Sequence, residues 1–161
     1  MRAGRATACP REERTCAERL PHALRSGALF FGADDLIITA GATQALRLAL
    51  RAVCQPGDAV AIEQPAYFGT LLLLEDLGLK ALQIPTDPIE GLLLAPLEEA
   101  IQRHRPAAVL ASPTVQNPLG ASMPVARKQA LVALLADKGI PLIEDDVYGD
   151  SGRWRPASAR V

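Results

Sequence analysis

Short apolar segments alternate with helical patterns from Asp34 onward, and this alternation restricts the chain to few folds. The predicted strands cover residues 36–39, 59–62, 81–84 and 107–111, followed by the apolar pair Leu142 and Ile143. Helical patterns lie between them at residues 44–54, 67–78, 96–105 and 124–139, and residues 85–91 are expected to form a loop. Such alternation with short connections is typical of a mostly parallel sheet with helices on both faces. The sequence therefore predicts an α/β fold.

The composition narrows the class of protein further. The chain has 161 residues, which is typical of one domain, and its 17 basic and 18 acidic residues give a net charge of −1. That balance offers no general surface for nucleic acid or for an anionic membrane. Arginines are frequent in the first 25 residues, but glutamates interrupt them, which favours a solvated segment over a DNA-binding arm.

Cysteine usage and hydropathy indicate a compartment. The three cysteines fit no metal-binding spacing, no apolar signal core is present at the N-terminus, and no apolar run could span a bilayer. We therefore expect a cytoplasmic protein with reduced thiols, no metal site and no membrane association. Residues 1–33 form a poorly defined N-terminal segment, residues 34–150 the α/β domain, and residues 151–161 an irregular tail.

Acidic residues follow the last predicted strand directly. Glu144, Asp145 and Asp146 come after Leu142 and Ile143. Ligands of open α/β sheets bind beyond the carboxyl ends of the strands, so acids there can face a ligand. If the extended pattern persists, Asp145 points away from its two acidic neighbours and can face a cationic group alone. The alternative is a solvated acidic turn.

Three further loops follow predicted strands and carry candidate ligand-binding residues. Gly41, Ala42 and Thr43 open a helix, where backbone N–H groups and a hydroxyl could bind a phosphate; a simple turn is the alternative. Tyr67 could stack on a flat cofactor or pack in the core. Asn117 precedes a proline that confines its backbone, so its amide could be held in one direction; a polar turn is the alternative.

Together these loops resemble a known family. Glu63-Gln64-Pro65-Ala66-Tyr67-Phe68-Gly69, Gln116-Asn117-Pro118-Leu119-Gly120 and Ile143-Glu144-Asp145-Asp146-Val147-Tyr148-Gly149-Asp150 occur in that order. They are similar to the large domain of fold-type-I pyridoxal-phosphate (PLP) enzymes, the aminotransferase class I/II family. The similarity is greatest to the aminotransferase-like domain of GntR/MocR-type transcription regulators.

The resemblance implies a pyridoxal 5'-phosphate site and a role for each residue in it. Asp145 would pair with the ring nitrogen, and Tyr67 would stack on the ring. Asn117 and Tyr148 would hydrogen-bond the phenolic oxygen, and a cis bond is expected between Asn117 and Pro118. The cofactor phosphate would bind at Gly41, Ala42 and Thr43.

The resemblance also implies a catalytic group that the sequence does not provide. The family's Schiff-base lysine lies well downstream of the Asp-x-x-Tyr motif, whereas this chain ends thirteen residues after Tyr148, with no lysine in residues 151–161. Lys80, Lys128 and Lys138 match no such motif. We therefore expect a fragment that is inactive alone, with no catalytic residue of its own.

The intact parent would be a homodimer that transfers an amino group between an amino acid and a 2-oxo acid. Two alternatives stay open. One is part of the effector domain of a GntR/MocR-type regulator, which would bind DNA only through a domain not present here. The other is a non-functional remnant.

Overall fold

A computed structural model describes residues 35–148 of the chain. The expectations for residues 1–33 and 151–161 lie outside these residues. The chain divides at Gly41, so residues 35–40 are described separately from the α/β unit that begins at Gly41.

The α/β unit contains nine elements in the described residues, and they follow the predicted alternation. The helices are α1 (Ala42–Val53), α2 (Phe68–Asp76), α3 (Leu94–His104) and α4 (Val125–Lys138). The strands are β1 (Ala59–Gln64), β2 (Lys80–Asp87), β3 (Gly91–Leu92), β4 (Ala108–Ala111) and β5 (Leu142–Glu144). No helix within residues 35–148 combines the length and apolar composition needed to cross a membrane.

The five strands form one sheet in the order β3-β2-β1-β4-β5. β1 pairs in parallel with β2 and β4, and β4 pairs in parallel with β5. Only β3 runs antiparallel, against the end of β2. The prediction of a mostly parallel sheet is therefore confirmed. The carboxyl ends of β1, β4 and β5 lie side by side. Ligands of α/β sheets bind beyond these ends of the strands.

Helices cover both faces of the sheet because both faces of the parallel strands are apolar. Alternate residues of β1 point to opposite faces, so Val60 and Ile62 belong to one core and Ala61 to the other. The first core receives α1 and α2, chiefly through Leu50, Leu73 and Leu74. The second core receives α3 and α4, through Leu97, Ile101, Leu131 and Leu135.

The strand predicted at residues 36–39 is not formed. Asp35 lies in a single 3₁₀ turn and residues 36–39 have no regular structure, with the side chain of Ile37 83% exposed. Isoleucine and leucine fit a strand only where neighbouring strands give them a surface to pack against.

The loop predicted at residues 85–91 is also wrong, because β2 continues to Asp87 and a tight turn returns the chain into β3. The Asp87 carboxylate accepts hydrogen bonds from the backbone N–H groups of Ile89, at 2.7 Å, and Glu90, at 2.8 Å. Asp87 therefore stabilises the turn itself, as aspartate often does at such positions.

Candidate functional site

One cavity of about 280 Å³ opens at the carboxyl ends of β1, β4 and β5, next to the start of α1. Four separate loops contribute to its wall. Six of the seven residues singled out from the sequence line it: Ala42, Thr43, Tyr67, Asn117, Asp145 and Tyr148. The seventh, Gly41, directly precedes Ala42. Residues far apart in the sequence therefore meet at a single place.

The N-terminus of α1 forms one side of the cavity. Gly41 is the N-cap residue, and its φ of 97° lies in a region that side chains other than hydrogen rarely allow. Ala42 and Thr43, in the first turn, line the cavity. A helix N-terminus carries partial positive charge, so this side of the cavity favours an anion.

Tyr67 stands at the N-cap of α2, where its ring reaches the cavity. It is 45% exposed, so it does not pack in the core. Its ring contacts Phe68, with 4.7 Å between the ring centroids and a tilt of 59°. It also lies over the backbone of Gly69, in the space where any other residue would place its Cβ atom. Glycine at position 69 thus permits this ring orientation.

Asp145 comes directly after β5 and is half-buried, whereas Glu144 and Asp146 are exposed and do not line the cavity. Its backbone N–H donates to the Ala111 carbonyl at 2.9 Å, which extends the pairing with β4 by one residue. Burial raises the pKa of the Asp145 carboxyl; the Val147 N–H opposes that rise, and the charge of Asp146 adds to it. No salt bridge to Asp145 forms within residues 35–148. A cation placed beside it would be strongly attracted.

Asn117 belongs to the loop between β4 and α4, and the Asn117–Pro118 bond is cis, as predicted. The Gln64–Pro65 bond is cis as well, which the sequence did not predict. Ser122 Oγ donates to the Thr114 carbonyl at 2.6 Å, and the Met123 N–H donates to the Pro113 carbonyl at 2.8 Å. The loop is thus closed by its own hydrogen bonds.

Two buried polar side chains in the cavity wall, Glu63 and Gln116, were missed from the sequence. Glu63 is 6% exposed, and its Oε2 accepts a hydrogen bond from the Ser112 N–H at 2.9 Å. Burial raises the pKa of its carboxyl; the Ser112 N–H opposes that rise and the charge of Asp145 adds to it. Gln116 is 2% exposed and hydrogen-bonds to both neighbouring loops. Glu63 ends an apolar strand, the same signal that singled out Asp145, so it could have been found.

The model of the family described as aminotransferase class I and II matches residues 12–159. The chain belongs to this family. The uncharacterized HTH-type transcriptional regulator YjiR of Escherichia coli (strain K12) is 40% identical over 138 residues, which are 86% of this chain.

Solved structures of aminotransferases share the fold. An archaeal alanine:glyoxylate aminotransferase is 34% identical, with a TM-score of 0.76 over 82% of this chain. LysN, the alpha-aminoadipate aminotransferase from Thermus thermophilus, is 27% identical, with a TM-score of 0.67 over 85% of this chain, and was solved complexed with N-(5'-phosphopyridoxyl)-L-leucine. The described residues therefore have the PLP-dependent transferase fold.

The chain spans only part of each of these family members. It covers 29% of the length of YjiR, 34% of the archaeal enzyme and 40% of LysN.

The chain has three lysines, and none of them lines the cavity. Lys80 is the first residue of β2, so it lies at the amino ends of the parallel strands, opposite to their carboxyl ends. Lys128 Nζ donates to Thr114 Oγ1 at 2.9 Å, and Lys138 Nζ forms a 2.8 Å ion pair with Asp137. None of the three side chains therefore belongs to the cavity wall.

Proposed function

We propose that this chain is the cofactor-binding part of an aminotransferase-type protein and that its cavity binds pyridoxal 5'-phosphate. One observation carries the proposal: six residues from four loops, each singled out by its sequence motif alone, line the same cavity. The cavity is small, close to the lower end of the range for small-molecule sites, which suits a single-ring cofactor.

The phosphate binds at the N-terminus of α1. Gly41, Ala42 and Thr43 provide the backbone and hydroxyl groups there, and the positive end of the helix favours the phosphate charge. No carboxylate is present in the first turn of α1 to oppose an anion.

Asp145 would face the ring nitrogen of the bound cofactor. When bound, pyridoxal phosphate withdraws electrons from the α-carbon of an amino compound. Asp145 supports this chemistry by holding a proton on the ring nitrogen. Its half-buried carboxylate, raised in pKa by burial, gains more from a cationic partner than an exposed carboxylate would.

The remaining groups orient the ring. Tyr67 stacks against it from the start of α2, and Asn117 and Tyr148 hydrogen-bond its phenolic oxygen. In a longer protein that also supplies a reactive lysine, the site transfers an amino group between an amino acid and a 2-oxo acid. We further propose a cytoplasmic, homodimeric parent.

A second function is favoured by one comparison. The 40% identity to YjiR extends over 86% of this chain and exceeds the identity to either aminotransferase structure. The second function that we propose is therefore the effector domain of a transcription regulator. Its cavity and cofactor would be the same, but it would respond to an amino compound without turnover. DNA binding would then belong to a different domain of the parent.

The cofactor site is tested with pyridoxamine 5'-phosphate, which has the ring and the phosphate but no aldehyde to react with surface lysines. We expect saturable binding at one site per chain. Asp145→Asn removes a charge-assisted hydrogen bond worth about 1.5–3 kcal/mol, so the dissociation constant should rise by about tenfold to 100-fold.

Asp146→Asn is the matched control, because it removes the same charge from the exposed neighbour. It should change the dissociation constant by less than about threefold, as expected for an exposed charge. Absence of saturable binding, or equal losses in the two variants, would overturn the proposal.

A further inference from the structure

We propose that Gln116 is the positioning residue that holds the Tyr67 loop and the Asn117 loop in one arrangement, so that they bind the ligand as a unit. The Tyr67 loop is residues 65–67 and the Asn117 loop is residues 113–120. This inference rests on the proposed cofactor site, although part of its test does not require a ligand.

The Gln116 side chain bonds to both loops at once. Its Nε2 donates to the Pro65 carbonyl at 2.7 Å and to the Asn117 carbonyl at 3.1 Å, while its Oε1 accepts from the Leu119 N–H at 2.8 Å. Both Nε2 hydrogens and the Oε1 acceptor are therefore used. The two carbonyls need a donor and the N–H needs an acceptor, so these partners fix the orientation of the amide.

This connection has no substitute in the described part of the chain. Within residues 35–148, the bond from Gln116 to Pro65 is the only hydrogen bond joining the Tyr67 loop to the Asn117 loop. The bond from Ser112 to Glu63 joins the ends of β4 and β1, which lie before both loops. Loss of the Gln116 amide would leave the loops attached to the sheet but not to each other.

Gln116 acts through its neighbours rather than by contact with the ligand. It lines the cavity but is only 2% exposed, and both ends of its amide are already bonded to protein groups, so little of it is left to contact a ligand. Pro65 lies two residues before Tyr67, and Asn117 directly follows Gln116, so both carbonyls that it binds belong to segments that present cavity-lining side chains. Buried polar groups that lose their partners destabilise the arrangement that buries them.

Gln116→Glu is the most specific variant. Glutamate has the shape of glutamine and can still accept from the Leu119 N–H, but when ionised it cannot donate to the two carbonyls. Gln83→Glu is the matched control, because Gln83 is exposed on β2 and does not line the cavity. We expect pyridoxamine 5'-phosphate to bind about tenfold more weakly to Gln116→Glu and within about twofold of the unaltered chain to Gln83→Glu.

A double-mutant cycle separates positioning from general loss of structure. Tyr67→Leu should weaken binding by about tenfold in the unaltered chain but by less than about threefold in the Gln116→Glu chain, because the ring is already misplaced there. An unchanged Tyr67→Leu penalty in the two backgrounds would overturn the inference.

Hydrogen exchange provides the readout that needs no ligand. In Gln116→Glu, the backbone amides of residues 67–70 should exchange faster together with those of residues 119–120, while those of α4 keep their rates. If Gln116→Glu does not fold, Gln116→Asn, which keeps the amide but is one methylene shorter, should give the same pattern with smaller changes. Faster exchange confined to residues 119–120 would overturn the inference. Failure of the unaltered chain to bind pyridoxamine 5'-phosphate would instead refute the proposed function.

Discussion

The ring of Tyr67 fills the space that a Cβ atom would need on Gly69. The Cζ atom of Tyr67 lies 2.9 Å from the position of that Cβ, closer than real Cβ contacts come. Position 69 is in the first turn of α2, where alanine would stabilise the helix more than glycine does. The helix itself therefore does not require glycine at this position. The orientation of the Tyr67 ring therefore depends on the absence of a side chain at position 69.

Gly69→Ala should separate ligand binding from stability. The added methyl group displaces the Tyr67 ring, which should raise the dissociation constant for pyridoxamine 5'-phosphate by about threefold to tenfold, the range expected for a lost aromatic contact. Stability in urea should stay unchanged or increase by up to about 1 kcal/mol, because alanine replaces a helical glycine. Glu75→Ala, an exposed site on the same helix, is the control. A variant that binds as tightly as the unaltered chain would contradict the role assigned to the ring.

Glu63 should make stability depend on pH. Its folded-state pKa is raised, chiefly by burial, so above the ordinary carboxyl pKa the folded chain holds this proton more tightly than the unfolded chain. Stability should therefore fall as pH rises from that ordinary value through the raised one. Urea unfolding between about pH 4 and pH 8 measures this slope.

Glu63→Gln should reduce the slope and be more stable than the unaltered chain at neutral pH. Glutamine does not need to be desolvated as a charge, and its amide oxygen can still accept the Ser112 N–H. Asp145, whose pKa is raised as well, should account for part of the slope that remains. A slope as steep as that of the unaltered chain would show that Glu63 does not contribute.

The core on the α3 and α4 face should be sensitive to loss of volume. Leu97 is fully buried on α3, so Leu97→Ala should lower the free energy of unfolding by about 2–5 kcal/mol. Leu72, on α2, is 57% exposed, and Leu72→Ala should change it by no more than about 0.5 kcal/mol. Chemical denaturation measures both. Similar values for the two variants would conflict with the packing of α3 against the sheet.

The positions of the three lysines predict a chain that does not catalyse transamination by itself. After incubation with pyridoxal phosphate and borohydride, which fixes any lysine–cofactor bond, peptide mapping should find no stoichiometric label at Lys80, Lys128 or Lys138, since none lines the cavity. Lys80→Gln removes one exposed lysine. The decrease in total label in this variant measures how much an exposed lysine is labelled unselectively. Complete labelling of a single lysine together with amino-acid turnover would disprove the prediction.

Local patterns predicted the elements of this fold that depend on local interactions, and they failed where distant partners decide. β1, β4 and β5 were predicted because each is an apolar run with a marked end. The strand at residues 36–39 was wrong, because β-branched residues indicate a preference but not a pairing partner. β3 was missed because two residues give no periodicity. The amide of Gln116 bonds a carbonyl 51 residues away, and no local pattern indicates such a bond.

The central position of β1 in the sheet has a consequence for folding. The bonds from Ser112 to Glu63 and from Gln116 to Pro65 span 49 and 51 residues of chain, so both require β1 and β4 to have paired first. Closing such long loops costs entropy before any contact at the cavity is gained. Asp145 further requires β5 to be in place beside β4. The cavity therefore exists only in molecules in which β1, β4 and β5 have assembled, and a ligand that occupies it selects those molecules from the ensemble.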